Sequence, residues 1–228
     1  MHEEFWLQRW REGRTGFHSD RPSPLLERHW PALTLPAGSR VLVPLAGKSV
    51  DMLWLADHGF RVLGVELSPL AVEQFFDENA LRPSIHESPA GRHHVVGGID
   101  LVCGDMFDLD AGDLADCAGV YDRAALIALP ADMRQRYARH LTRMLPAHCQ
   151  MLLLTLDYDQ AEMQGPPFAV GEDEVRALYG KDWKTAVLER REILSEEPGF
   201  AGRGMSALQT TAYHLGRAGL DAASSGSH

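Results

Sequence analysis

The stretch "VLVPLAGKSVDMLWLADHGFRVLGVELS", residues 41–68, contains two apolar runs on either side of a segment with helical periodicity. The runs at 40–45 and 61–67 are predicted to be buried strands, and the segment at 49–59 is predicted to be a helix that ends at Gly59. A strand, a helix and a second strand in this order indicate a parallel βαβ unit, and therefore an α/β fold.

The rest of the chain continues this alternation. Further helices are predicted at 68–80, 130–145 and 172–180, and further strands within 99–109, 117–124, 149–159, 183–194 and 206–217. The first five strands are separated mainly by helices, which predicts a doubly wound, mostly parallel sheet. The last two strands flank a Gly-rich turn and are expected to form an antiparallel pair at one edge. The polar segment 82–98 is predicted to be a surface hairpin or a mobile flap.

The bulk composition limits the possible partners and compartments. The 228 residues carry a formal net charge of −10, which argues against nucleic acid as the main partner because the nucleic-acid backbone attracts basic surfaces. No apolar run approaches the ~20 residues of a membrane span, and no signal peptide is evident. Three widely spaced cysteines suit reduced thiols. We therefore expect a cytoplasmic protein with no membrane partner, and a monomer because no coiled coil or long apolar stripe is present.

The loop after the first strand, Gly47-Lys48-Ser49, ends like a phosphate-binding loop but does not fit one. A Walker A motif needs a further glycine at position 42, where this chain has Leu42. The three-glycine signature of a dinucleotide loop is also absent, since this loop offers only Gly47. Neither a nucleoside triphosphatase nor an NAD-dependent dehydrogenase is therefore favoured.

Acidic residues at the strand ends suggest a different adenosine ligand. Glu66 lies 19 residues after Gly47 (66 − 47), at the end of the second strand, where a doubly wound fold places the acid that binds ribose hydroxyls. Asp105 at the end of the third strand could accept from the adenine amino group, and Met106 could pack on the adenine ring. S-Adenosylmethionine contains adenosine but no phosphate, so these features together favour a methyltransferase.

Longer motifs are similar to those of the thiopurine S-methyltransferase family, in its bacterial branch. They are "FWLQRWREGRTGFH" (5–18), "VPLAGKSVDMLWLADHGFRVLGVELS" (43–68), "YDRAALIALP" (121–130) and "YDQAEMQGPPF" (158–168). The resemblance extends from residue 5 to about residue 216. It implies a class I S-adenosylmethionine-dependent methyltransferase fold, with a seven-stranded, mostly parallel sheet and an antiparallel edge strand.

The resemblance also implies site residues. In the cofactor site it implies that Trp10 closes over the ligand, that Leu45 belongs to the binding loop, and that Glu66 is the ribose acid. Arg123 would lie near both the cofactor and the substrate sulfur, and Phe17 would line the methyl-transfer site. A second substrate-facing arginine is expected in the last Gly-rich turn, where Arg203 is the only arginine.

The implied reaction is an SN2 transfer of a methyl group to an aromatic or heterocyclic thiol, with S-adenosylhomocysteine as the second product. We expect no catalytic acid–base dyad and no metal, because an arginine can hold such a thiol as its thiolate. Asp157 and Asp159 are therefore interpreted as loop residues. Two alternatives remain open: a related methyltransferase acting on selenium or tellurium oxyanions, halide or hydrosulfide, and a noncatalytic S-adenosylmethionine-binding protein.

The chain is expected to form one methyltransferase domain over residues 1–218. Its N-terminal part, about residues 1–30, is expected to act as a lid that carries Trp10 and Phe17. The small, polar residues 219–228 are expected to be a disordered tail.

Overall fold

The computed structural model describes residues 3–16 and 18–217, and its centre is a single mixed sheet. The strands are β1 (Arg40–Pro44), β2 (Arg61–Glu66), β3 (Ser84–Ser88), β4 (Gly91–Val96), β5 (Ile99–Cys103), β6 (Cys117–Arg123), β7 (Gln150–Asp157), β8 (Trp183–Glu192) and β9 (Gln209–Arg217). They lie in the order β3-β4-β5-β2-β1-β6-β7-β9-β8. The five strands from β5 to β7 run parallel, as the sequence predicts.

Helices cover both faces of this sheet. They are α1 (Glu3–Arg11), α2 (Pro24–His29), α3 (Asp51–Asp57), α4 (Pro69–Glu78), α5 (Ala131–Met144), α6 (Glu172–Tyr179) and α7 (Pro198–Ala201). Side chains of α5 and α6 join one hydrophobic cluster, and side chains of α2, α3 and α4 join a second cluster. The sheet is therefore doubly wound, and each face buries apolar side chains against its own layer of helices.

The start of α4 shows why a predicted helix begins where it does. Ser68 has an extended backbone, its hydroxyl accepts a hydrogen bond from Ala71 N at 3.3 Å, and Pro69 occupies the first helical position. The hydroxyl satisfies an amide that would otherwise lack a helical partner, and the proline ring presets the helical φ.

Antiparallel strands finish both edges. Strand β9 pairs antiparallel with β7 and with β8, which confirms the predicted antiparallel edge. At the other edge, segment 82–98 is a hairpin, and its strand β4 pairs antiparallel with β5. The seven predicted strands are all present, and within residues 3–16 and 18–217 this hairpin extends the sheet to nine strands.

The hairpin is fixed to the sheet by a polar network. Ser88 Oγ lies 2.9 Å from His93 Nε2, and His93 Nδ1 lies 2.9 Å from Asp100 Oδ1 on β5. Ser88 Oγ also accepts from Ala90 N at 3.0 Å, which shapes the turn. Polar residues therefore hold the hairpin, and this is why the segment lacks a buried-strand pattern.

The strand order reverses between β1 and β6, and this reversal locates the ligand crevice. Successive strands β1, β2 and β5 extend to one side, while β6 and β7 extend to the other. In open α/β sheets, ligands bind at such a switch point, outside the carboxyl ends of the strands. Within the part of the chain that the structure describes, no helix is both long and apolar enough to cross a bilayer.

Asp122, next to the end of β6, is fully buried and ties β6 to α5. Its Oδ2 accepts from Tyr137 OH at 2.8 Å, and its Oδ1 accepts from Leu126 N at 3.1 Å. Burial raises the pKa of Asp122 to about 6, against the opposing effect of these hydrogen bonds and one from Ala125 N. Because the native pKa exceeds the unfolded one, this group's contribution to stability is complete below about pH 4 and is lost as the pH rises through about 6.

Asp122→Asn should remove this pH dependence. The free energy of unfolding of the variant, relative to the parent chain, should rise by about 1 kcal/mol between pH 5 and pH 7.5. Urea unfolding at the two pH values measures this difference. Asp132→Asn, an exposed change in the first turn of α5, is the control and should show no such trend. An Asp122→Asn difference that is equal at both pH values would contradict the account.

Candidate active site

The loop after β1 contains two left-handed residues at the switch point. Leu45 has φ +47° and Gly47 has φ +55°. Glycine adopts this conformation readily, whereas leucine does so only at a cost in strain. The two bends turn the chain sharply between β1 and α3, which brings backbone groups of the loop toward the end of β2. Sequence reasoning selected Leu45 and Gly47 but did not foresee the strained leucine.

Glu66, the last residue of β2, holds this loop through its carboxylate. Oε2 accepts from Gly47 N at 2.8 Å, and Oε1 accepts from Ser68 N at 2.8 Å. The residue is 6% exposed, and burial raises its pKa while the backbone hydrogen bonds from Ser68, Gly47 and Leu67 oppose that shift. Each carboxylate oxygen can accept more than one hydrogen bond, so the group can also accept from a ribose diol.

Lys48 does not face a phosphate position. Its Nζ lies 2.6 Å from Glu78 Oε1 on α4, and its side chain is only 12% exposed. The "GKS" sequence is therefore part of an ion pair between the loop and α4, in agreement with the rejection of a Walker A motif.

The N-terminal helix lies against the same loop. Trp10 of α1 is buried, and a methyl group added at Gly47 would lie 3.2 Å from Trp10 Cζ2. The indole ring thus packs directly on the loop. The family resemblance implies that this ring closes over a ligand there. Phe17, the other residue predicted for this lid, lies outside the described residues.

Of the two residues predicted to contact adenine after β5, Asp105 is exposed and Met106 is buried. Asp105 is exposed, and its Oδ1 accepts from Phe107 N at 2.9 Å at the start of a short 3-10 helix, Met106–Asp108. Met106 is 4% exposed and packs in the hydrophobic cluster that also contains side chains of α5 and α6. Their contacts with adenine stay predictions.

Arg123 ends β6, across the switch point from the loop. Its Nη1 donates to Asp51 Oδ2 at 3.0 Å. Burial alone would lower the pKa of Arg123, but the charge and hydrogen bond of Asp51, together with Tyr121, raise it. The next residue, Ala124, has φ +68°, so the backbone bends sharply where the arginine leaves the sheet.

Asp51 is the residue at this site that sequence reasoning missed. The structure pairs Arg123 with Asp51 in the first turn of α3, an acid that the sequence analysis did not assign to the site. The sequence feature that could have indicated Asp51 is an acid in the first turn of the helix after β1, because that turn must face the switch point.

Arg203 follows α7, in the turn before β9. Its Nη1 is 3.1 Å from Met163 Sδ, and its guanidinium lies 5.8 Å from the ring of Phe200. The pKa of Arg9 in α1 is lowered, first by burial and then by the positive charges of Arg14 and Arg203. The charge of Arg203 thus acts on the helix that carries Trp10, and its contact with substrate stays a prediction.

Asp157 and Asp159, the two acids at the end of β7, both take part in local structure. Asp159 Oδ1 accepts from Ala161 N at 2.9 Å and so shapes the following turn. Asp157 is the last residue of β7 and pairs with Gln209 of β9. The expectation that no metal is needed stays a prediction.

Solved structures with this fold bind S-adenosylhomocysteine. The chain is similar to a 1,6-didemethyltoxoflavin-N1-methyltransferase from Burkholderia thailandensis with bound S-adenosylhomocysteine (TM-score 0.62, 15% identity, 94% of this chain and 87% of that chain). It is also similar to an S-adenosylmethionine-dependent methyltransferase from Thiobacillus denitrificans in complex with S-adenosyl-L-homocysteine (TM-score 0.58, 19% identity, 92% and 97% coverage). The chain therefore has the fold of class I S-adenosylmethionine-dependent methyltransferases, with the Glu66 loop at its switch point.

A family model described as thiopurine S-methyltransferase matches residues 1–218. The chain belongs to the thiopurine S-methyltransferase family. It is 59% identical over 219 residues to a protein of that name from Bordetella parapertussis, with 96% of this chain and 100% of the relative covered. It is 58% identical over 217 residues to one from Xanthomonas campestris pv. campestris, with 95% and 100% coverage.

The contact between Trp10 and Gly47 gives a matched pair of glycine substitutions. Gly47→Ala adds a methyl group against the indole ring at a left-handed position, so we expect about tenfold weaker binding of S-adenosylhomocysteine in calorimetry. Gly59→Ala meets similar backbone strain at φ +83° but no atom within 4 Å. It should lower thermal stability without changing this affinity. Equal affinities of the two variants would show that the Trp10–loop contact does not support binding.

Proposed function

We propose that this chain transfers the methyl group of S-adenosylmethionine to the sulfur of an aromatic or heterocyclic thiol. The observation that carries the proposal is the placement of Arg123. It stands at the switch point, opposite the Glu66 loop, with its Nη1 held by a fully buried carboxylate. Membership of the thiopurine S-methyltransferase family supports the same reaction.

The residues present fit S-adenosylmethionine better than a pyrophosphate-containing cofactor. A carboxylate at the end of β2 accepts from a vicinal diol, and the loop has one glycine, whereas a pyrophosphate cradle requires several. When bound, the cofactor supplies an electrophilic methyl group attached to a sulfonium. We propose that Glu66 holds the ribose, Leu45 and Gly47 present loop backbone, Asp105 and Met106 contact adenine, and Trp10 covers the ligand.

Arg123 would prepare the nucleophile. A guanidinium beside a thiol stabilises the thiolate and lowers its pKa, so a heteroaromatic thiol needs no separate general base. Charge is neutralised in the transition state when the thiolate attacks a sulfonium methyl. The protein therefore contributes mainly alignment and exclusion of water. Phe17 and Arg203 are the further residues we propose to contact the substrate.

The N-terminal part of the chain, about residues 1–30, would act as a lid. The described part of this segment already packs Trp10 on the loop after β1. Gly13 and Gly16, in the connection after α1, offer backbone freedom for opening. Closing this segment over the site would exclude water from the reacting sulfur.

We further propose that the chain works as a monomeric cytoplasmic enzyme with one methyltransferase domain over residues 1–218. Its three cysteines are free thiols, and burial raises the pKa of Cys117 to about 12, which suits inert, reduced side chains. The nine strands form one continuous sheet, which supports a single domain. The tail proposed at 219–228 lies outside the described residues.

Transfer of a labelled methyl group from S-adenosylmethionine tests the reaction. We expect label on thiophenol and on heteroaromatic thiols, with much less on selenite, tellurite, halide and hydrosulfide. Arg123→Ala should lower kcat/KM for thiols by about 100-fold, because a charge-assisted contact to the nucleophile is lost. Binding of S-adenosylhomocysteine without any methyl transfer would indicate a noncatalytic protein, and preferential labelling of oxyanions would indicate the related methyltransferase class.

Trp10 fluorescence tests the lid. Adding S-adenosylhomocysteine should change the emission of the parent chain, slow proteolysis within the N-terminal segment and leave Trp10→Phe emission almost unchanged. Trp183→Phe removes a buried indole that donates to Thr142 Oγ1, on the other side of the fold from the lid, and should retain the response. No change in either emission or proteolysis of the parent chain would contradict a closing lid.

A further inference from the structure

Asp51 is a buried carboxylate at which three separate parts of the chain meet. Its Oδ2 accepts from Arg123 Nη1 at 3.0 Å and from Tyr121 OH at 3.0 Å, both on β6. Its Oδ1 accepts from Ser23 N at 2.7 Å, at the start of α2. The first turn of α3, the end of β6 and the N-terminal region are therefore joined through one side chain.

This arrangement is an inefficient way to gain stability. Asp51 has no exposed surface, and a carboxylate buried to that extent loses much of its hydration free energy. The ion pair and hydrogen bonds recover that loss, but well-packed apolar residues of similar volume often serve as well or better. The position of the pair beside the ligand crevice points instead to a role in orienting Arg123.

One guanidinium nitrogen of Arg123 is held by Asp51, and its other N–H groups remain available as donors. The guanidinium has several N–H donors in a planar fork, and within residues 3–16 and 18–217 its one hydrogen bond runs from Nη1 to Asp51. The side chain is 28% exposed, so part of it remains accessible at the carboxyl end of β6. Fixing Nη1 restricts the long side chain and limits the directions in which its remaining donors can point.

We propose that Asp51 is a positioning residue, which holds the Arg123 guanidinium toward the substrate sulfur and links its orientation to Ser23, within the N-terminal segment proposed as the lid. This inference rests on the proposed function, because it assumes that Arg123 contacts the thiolate. Asp51 itself contacts neither substrate nor cofactor. It acts through the arginine and through the backbone amide of Ser23.

Positioning and charge attenuation predict opposite effects of removing the acid. If Asp51 mainly weakened the positive charge of Arg123, its neutralisation would strengthen the field at the sulfur and lower the pKa of the bound thiol. If Asp51 positions Arg123, its neutralisation lets the guanidinium move away, and the pKa of the bound thiol rises. The pH dependence of kcat therefore separates the two roles.

The test uses Asp51→Asn in the full chain, with thiophenol as the methyl acceptor. We expect kcat to fall by about tenfold, because a misplaced catalytic contact costs at least this much. The low-pH limb of the kcat profile should move to higher pH, while the dissociation constant of S-adenosylhomocysteine stays within about twofold of the parent value.

Tyr137→Phe is the matched control for lost stability. It removes a buried phenol that donates to a buried carboxylate, Asp122 Oδ2, as Tyr121 donates to Asp51 Oδ2. It should lower the melting temperature and leave the pH profile of kcat unchanged. Should Asp51→Asn fail to fold, Tyr121→Phe removes one donor from the same oxygen that binds Arg123, and it should shift the low-pH limb in the same direction by a smaller amount.

Three results would overturn the inference. They are an unchanged kcat in Asp51→Asn, a low-pH limb that moves to lower pH, or a fall in kcat with no shift that Tyr137→Phe reproduces. Arg123→Ala separates this failure from failure of the proposed function. If Arg123→Ala loses activity while the Asp51 variant keeps it, only the positioning role is wrong; if Arg123→Ala keeps full activity, the role proposed for Arg123 is itself wrong.

Discussion

The Glu66 carboxylate fixes the relative positions of the elements around the crevice. One oxygen binds Gly47 N in the loop after β1, and the other binds Ser68 N at the start of α4. The loop can therefore keep its left-handed turns, including the strained Leu45, because the buried Glu66 carboxylate holds the Gly47 amide. Trp10 in turn packs on the Gly47 position, so the placement of the N-terminal helix depends on the same interaction.

A second buried acid organises the opposite side of the switch point. Asp51 binds donors from β6 and from the start of α2, and thereby holds Arg123 at the carboxyl end of its strand. The two acids suit different tasks. In the proposed function, Glu66 offers acceptors to a neutral diol, whereas the fully buried Asp51 holds the arginine that we propose to contact the thiolate. This division suits methyl transfer to sulfur, a reaction that depends on alignment more than on acid–base catalysis.

Sequence patterns predicted the elements whose formation depends on local signals. The central strands are continuous apolar runs, and α4 begins at a Ser-Pro pair, so their positions agree with the structure to within a few residues. The rejection of a phosphate loop at Leu42 also agrees with the pairing of Lys48 and Glu78. The position of Glu66 at the end of β2 could be predicted because doubly wound folds place an acid about 20 residues after the first loop, while its contact with ribose stays a prediction.

The features that sequence patterns missed depend on long-range contacts. Segment 82–98 was predicted as a surface hairpin or a mobile flap, but its pairing with the sheet was missed. Every residue of β3 is at least partly exposed, with Ile85 60% exposed, so no alternation of apolar and polar residues indicates that pairing. Asp51 and Arg123 are 72 residues apart, and no local sequence pattern selects that pair. The six-residue helix α2, which buries Leu26, likewise gains its stability from packing rather than from intrinsic propensity.

The most direct test of this account is the affinity of Glu66→Gln for S-adenosylhomocysteine, measured by titration calorimetry. The account predicts a loss on the order of 100-fold, because an uncharged amide accepts more weakly from the ribose diol and cannot bind both backbone amides. Glu78 also contacts the loop, through Lys48, and Glu78→Gln should bind S-adenosylhomocysteine almost as tightly as the parent chain. A folded Glu66→Gln variant with unchanged affinity would contradict the account.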